Sequence, residues 1–317
     1  MTIRVHSSKI TTLLFLLAAG LLTGCSGSDD IGDDVPVPAA VSDTPKEISV
    51  SPASMQYTRA TTIDDNEDLQ SRDLLIYAYF NGTETAFLNG VKQHYDSDAW
   101  CFWSGDAAAH YYWPIVGSEY QGVTPGITVS SLDFVGYCPY SRPAYVAAPT
   151  YSYDEGITFT VDMSDYMTSE AQADMTEFMY GYLANQTYTT QTSAGGALPL
   201  TFQHPFAKIY FTLSSASGTA VTVNSITLSG VKTTGTYNST QGWSLQDGNA
   251  TLTIATTGDT PYIVMPYDYG DKTLTVNATW KEWGTGVTKD VSASVNIDWQ
   301  AGYSYTYNLT LSKYALV

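Results

Sequence analysis

The second half of the chain alternates apolar and polar residues with a period of two, and this limits the folds open to it. Ala207, Ile209, Phe211 and Leu213 alternate with Lys208, Tyr210 and Thr212. Leu274, Val276, Ala278 and Trp280 form a second such row, and Val291, Ala293, Val295, Ile297 and Trp299 a third. Tyr303, Tyr305, Tyr307, Leu309 and Leu311 form a fourth, after Gly302. Successive side chains of a strand point to opposite faces, so each row predicts a strand with one face buried. In Val221, Val223, Ile226 and Leu228 the alternation skips a residue, which predicts a bulge. Gly284 and Gly286 permit a turn between two of the strands. Short antiparallel strands joined by glycine turns predict a β-sandwich, because two half-apolar sheets bury one another.

The first half is also strand-like but less regular. Residues 73–80 are a near-continuous apolar run closed by Asn81 and Gly82, which reads as a buried strand and turn. Residues 100–103, 111–113, 132–137, 157–161 and 178–183 read as further strands, and residues 47–50 as a short one ending at Pro52. Only residues 168–175, free of Gly and Pro, read as a helix. The fold class is all-β, divided at 46–198 and 199–317.

The amino end carries an address. Arg4 and Lys9 precede an apolar run at residues 10–22 that is too short to cross a bilayer comfortably, as in an export signal spanning residues 1–24. Leu22-Thr23-Gly24-Cys25 resembles the lipobox of bacterial lipoproteins, which implies acylation (palmitate) of Cys25 and an anchor in the outer membrane. Ser26-Gly27-Ser28-Asp29-Asp30 resembles the acidic signal that sends lipoproteins to the outer face of that membrane, and equally suits a solvated tether. With Pro36, Pro38 and Pro45, residues 25–45 read as a flexible acidic and proline-containing leash.

Charge and motifs exclude several functions. Without Arg4 and Lys9 the chain has eleven basic residues against 31 acidic ones, a net charge of about −20 that repels nucleic acid and anionic headgroups. Neither is expected as a partner. There is no His-Glu-x-x-His and no Gly-x-Ser-x-Gly. Asp64-Asp65-Asn66-Glu67-Asp68 opens like a calcium loop, but Leu69 stands where the turn glycine belongs and Leu75 where the bidentate glutamate belongs. His204, between Phe202 and Pro205, reads as a hydrogen-bonded structural residue. No metal, cofactor or catalytic set is expected, and the chain reads as no enzyme. Cys101 and Cys138 admit two readings, a disulfide outside the cytoplasm or two separate thiols.

A family resemblance connects these pieces. Leu200-Thr201-Phe202-Gln203-His204-Pro205-Phe206-Ala207-Lys208-Ile209 looks like the first strand of the second domain in fimbrillin family (type V pilin, Mfa-like) lipoproteins. Tyr112-Trp113-Pro114, the run from Leu132 through Pro139, Val264-Met265-Pro266 and Trp299-Gln300-Ala301-Gly302-Tyr303 follow in the family's order. The resemblance implies two tandem transthyretin-like β-sandwich domains behind a lipoprotein signal and flexible leash, and a role in surface fimbriae or adhesion. It implies removal of the amino-terminal segment by an arginine-specific protease, and strand exchange with other fimbrial subunits. Arg59, in Tyr57-Thr58-Arg59-Ala60-Thr61, is the candidate cleavage site, and also suits a solvated loop; Arg72, against the buried run at 73–80, is a weaker one. Stalk subunits of the family carry extra carboxy-terminal strands, whereas this sequence ends at Lys313-Tyr314-Ala315-Leu316-Val317, which favours a tip, accessory or anchor component. The apolar tail from Tyr314 could itself complete or donate a strand. The alternative is a surface-anchored glycan-binding lipoprotein reading host or bacterial surface ligands. Trp100, Trp103, Trp113, Trp280 and Trp283 are then the aromatic candidates, and Trp283, near a turn, is the possible glycan contact.

Overall fold

A computed structural model describes residues 44–55, 65–215, 221–246, 248–256, 261–282 and 285–311. It is built mostly from strands. The first half contains β1 (Val50–Ser54), β2 (Leu74–Phe80), β3 (Ala86–Asp96), β4 (Ala99–Ser104) and β5 (Ala107–Ala108). A small hairpin, β6 (Glu119–Tyr120) and β7 (Ile127–Thr128), leads to β8 (Leu132–Cys138) and β9 (Thr150–Ser152). β10 (Gly156–Asp162), β11 (Met179–Gln186) and β12 (Leu198–Gln203) follow. The second half contains β13 (Ala207–Ser215), β14 (Val221–Lys232), β15 (Thr234–Asn238), β16 (Gly242–Leu245) and β17 (Asn249–Ile254). β18 (Tyr262–Val264), β19 (Tyr267–Glu282), β20 (Thr285–Trp299) and β21 (Ser304–Leu311) complete it.

The largest sheet runs β1-β12-β11-β8-β2-β3-β4-β5. β8 lies inside it with all seven residues buried, which explains why its sequence is apolar throughout rather than alternating. One face of this sheet packs Leu74, Ile76, Phe80, Phe134, Leu200 and Phe202 into a core of its own. The other face, through Val135, Tyr137 and Tyr180, joins a second core that continues to Phe206, Ile209, Ile226, Trp299 and Leu309.

The two halves share strands as well as a core. A four-stranded sheet runs β16-β15-β10-β9, with Phe159 of β10 opposite Tyr237 of β15. The remaining main sheets, β18-β13-β21 and β17-β14-β19-β20, belong to the second half, and β13 and β21 are parallel. The bulge expected in β14 is present as a register shift between Val223 and Ser225.

Three local differences from the sequence reading have physical causes. The stretch read as one strand from Leu200 to Ile209 is two, in different sheets, because Pro205 has no N–H for a ladder. The chain therefore changes sheets at residues 204–206, and β12 pairs within the first sheet. The first strand continues past Pro52 instead of ending there, since a sheet edge tolerates a missing donor on its outer side. Helix forms at α2 (Ser169–Ala173), capped by Thr168, as expected, but also at α1 (Asp65–Gln70) and α3 (Tyr188–Ser193). The residues of α3 are weak helix formers, and a reciprocal cap between Thr187 and Thr190 holds its start.

Candidate functional site

β1 lies at the outer edge of the eight-stranded sheet, parallel to β12, with Val50 opposite Leu198 and Ser54 opposite Phe202. Its alternation is complete: Val50, Pro52 and Ser54 are buried, while Ser51 is exposed and Ala53 half-buried. Ile48, just before it, is buried as well. Burying Ile48 and Val50 stabilises the docked strand by about 1.5–3 kcal/mol each relative to exposure.

The main chain of this stretch bonds on two sides. Toward β12, Leu198 N–H donates to Ser49 O and Met55 N–H to Phe202 O, both at 2.8 Å. On the opposite side Ile48 N–H donates to Tyr111 O and Trp113 N–H to Lys46 O, both at 2.7 Å. Bonding direction alternates along a strand, so residues 49, 51, 53 and 55 face β12 and residues 48, 50, 52 and 54 face away.

Three buried polar side chains hold the strand. Gln191 of α3 clamps two main-chain groups: its Nε2 donates to Glu47 O at 2.9 Å and its Oε1 accepts from Ser49 N–H at 3.0 Å. Trp113 Nε1 also donates to Gln191 Oε1, at 2.9 Å. Gln93 of β3 donates through Nε2 to Val50 O at 2.8 Å. His204, at the turn between β12 and β13, places Nε2 3.2 Å from Ser54 Oγ. Its Nδ1 donates to Glu177 Oε1 at 2.8 Å, and Lys208 Nζ lies 3.6 Å from Glu177 Oε2. The sequence reading of His204 as a hydrogen-bonded structural residue thus agrees with its surroundings.

The other residues singled out in the sequence fall in different places. Cys25, Arg59 and Trp283 lie outside the described residues, as do residues 314–317. The disulfide reading is corrected: Cys101 and Cys138 are not bridged. β2 and β3 lie between their strands, a separation of three strand spacings or roughly 14 Å, twice what a disulfide spans. Burial pushes the Cys138 thiol up to about 12, so it is held as a neutral core group. Asp68 of the acidic run ends on α1 in a bidentate pair with Arg72, at 2.9 and 2.7 Å, rather than in an ion loop. Among the described residues no group of three or more His, Cys, Asp or Glu side chains could hold a metal.

A separate cleft of about 410 Å³ opens beside β3 and β4, with Asn89, Lys92, Trp103, Tyr111 and Tyr140 in its walls. Trp103 stands against His94, with ring centres 5.1 Å apart. The period-two pattern gave no sign of this cleft, because its residues come together only through sheet pairing.

A family profile described as fimbrillin-like matches residues 58–317. Among solved structures, a fimbrial protein from Bacteroides vulgatus ATCC 8482 superposes with a TM-score of 0.55 at 14% identity, over 86% of this chain and 96% of that one. A candidate cell adhesion protein from Bacteroides uniformis ATCC 8492 gives 0.50 at 18% identity, over 85% of this chain and 94% of that one. At such identities the likeness is one of fold. No curated protein matches the sequence. With most of its length matched by one profile, the chain belongs to the fimbrillin-like family, a structural and non-enzymatic family.

Proposed function

We propose that this protein is a fimbrial subunit, or an accessory or tip adhesin, that leaves the cell as a lipoprotein acylated at Cys25 and assembles by strand exchange at the outer membrane surface. In this reading a protease cuts after Arg59, β1 departs with the lipid, and an extended segment of another fimbrial subunit takes its place beside β12. The two transthyretin-like units of this reading, residues 46–198 and 199–317, are interlocked rather than separate: β12 pairs in the first sheet, the chain changes sheets at residues 204–206, and β9 and β10 share a sheet with β15 and β16.

The observation that carries this reading is the position of β1. It precedes Arg59 in the chain, occupies a sheet edge, and buries Ile48, Val50, Pro52 and Ser54. Its loss exposes a file of apolar pockets and a row of unpaired main-chain groups on β12, which a strand of matching alternation satisfies. Arg72 is a poorer target, since its side chain is engaged with Asp68 and its N–H donates to Leu69 O at 3.1 Å. Amino-terminal sequencing of material sheared from cells tests the proposal. A start at Ala60, with ladders on mildly denaturing gels, is the expected result; a uniformly acylated monomer starting at Cys25 overturns it.

A second reading, capture of surface sugars, is favoured by the cleft at Trp103 and Tyr140, with Lys92 and Asn89 as hydrogen-bond donors. Binding on an oligosaccharide array that is lost in Trp103→Ala supports the cleft as its site, and loss in Trp283→Ala supports instead the contact expected from the sequence.

A further inference from the structure

Two glutamines grip the main chain of the amino-terminal strand, and only one grip is complete. Gln191 spans positions two apart, donating to Glu47 O and accepting from Ser49 N–H. Gln93 begins the same clamp from the opposite side, donating to Val50 O. The group two residues on that faces this side is the nitrogen of Pro52, which carries no hydrogen. Gln93 is 1% exposed, and its Oε1 is buried with no hydrogen-bond partner among the described residues. A buried acceptor without a partner forfeits its hydration and gains nothing in return.

The register that puts position 52 beside Gln93 is fixed elsewhere along the strand. His204 meets Ser54 at one end, where Met179 Sδ, 3.9 Å from Ser54 Oγ, limits side-chain size. Gln191 holds Glu47 and Ser49 at the other. Sliding the strand by one residue would bring Ser51 and Ala53 to the core and carry Val50 to the outside, so the register is not free to move.

We propose that β1 is by design an imperfect occupant of its edge: the groove takes, from another subunit, an extended segment with the same apolar alternation but with a residue bearing an N–H where Pro52 sits, and holds it more tightly. This rests on the strand-exchange reading and gives it a direction, because the incoming segment completes the Gln93 clamp that the resident strand leaves half made. Proline at this position also pre-orders the strand, which offsets part of the difference.

The full chain, cut with an arginine-specific protease, is titrated with a labelled peptide of residues 47–55 and with its Pro52→Ala version. Arg142 is exposed but precedes Pro143, a bond such proteases cut poorly. The Pro52→Ala peptide is expected to bind about tenfold more tightly than the natural one. In the Gln93→Leu chain the preference should disappear. Equal or weaker binding of Pro52→Ala to the natural chain overturns this proposal and leaves strand exchange standing. Failure of every peptide to bind overturns both. The comparison of the two peptides on the natural chain decides the matter even if Gln93→Leu does not fold.

Discussion

Gly136 lies opposite Gly181 where β8 meets β11, and the reason is space. A Cβ at Gly136 would sit 2.7 Å from Phe202 Cζ and 2.9 Å from Leu200 Cδ2, both on buried side chains of β12. Neither neighbour can withdraw without disturbing the strand that carries β1. Gly136→Ala is therefore expected to cost about 1–3 kcal/mol, read as a lowered midpoint of thermal or urea unfolding. Asp73, just ahead of β2, is a different kind of residue. Burial pulls its carboxyl upward, but Lys92 at 2.8 Å and His94 at 2.6 Å outweigh it and hold the group below its ordinary value of 3.8. A depressed carboxylate stabilises the fold above its unfolded value and loses that contribution as pH falls through the folded one. Asp73→Asn should accordingly lower stability modestly at pH 7, with the difference from the natural chain shrinking below about pH 4 in urea melts. The group is partly exposed, so solvent screening keeps the effect small.

At the scale of elements, β1 is a strand whose neighbours are set by contacts far away in sequence. Ser49 and Gln191 are 142 residues apart, and Ser54 and His204 are 150 apart. The strands themselves were legible: the four rows of the second half and the run at β2 read directly from alternation or apolarity, and the β14 bulge from one skipped residue. Their partners were not legible, because alternation says which face is buried and nothing about what buries it. The pairing of β15 with β10 and the cleft at Trp103 were invisible for that reason. α3 was missed since its Thr-rich sequence has low intrinsic preference for helix and depends on the Thr187–Thr190 cap. Pro52 misled by suggesting a strand end at what is an edge. For this element the expected outcome is that Ser54→Val, in a chain cut after Arg59, weakens retention of β1 by roughly tenfold through the lost contact with His204. The fraction of β1 co-eluting with the cut chain on gel filtration measures it.

The whole molecule is knit across its midpoint. β9 and β10 come from the first half and β15 and β16 from the second, and they form one sheet. Tyr180 and Tyr237 hydroxyls meet at 2.7 Å, and Gln172 of α2 exchanges two hydrogen bonds with the main chain of Ile263 in β18. One core runs through both halves. Thermal unfolding should therefore give a single calorimetric transition rather than two. A fragment ending at residue 198 loses β12, β15 and β16, and its circular dichroism should show little native strand signal. Had the halves been separate sandwiches, that fragment would fold by itself.

The parallel alignment of β1 with β12 has a geometric consequence for any polymer. A cleft that is filled by a tail from a neighbour, with a fixed polarity, has no reason to be its own mirror: the subunit that offers a tail does so with one end and receives with another. Under the strand exchange proposed above such joints are head-to-tail, so unless the rotation between subunits closes a ring, each addition leaves a fresh receiver at one end and the filament acquires a permanent sense of direction.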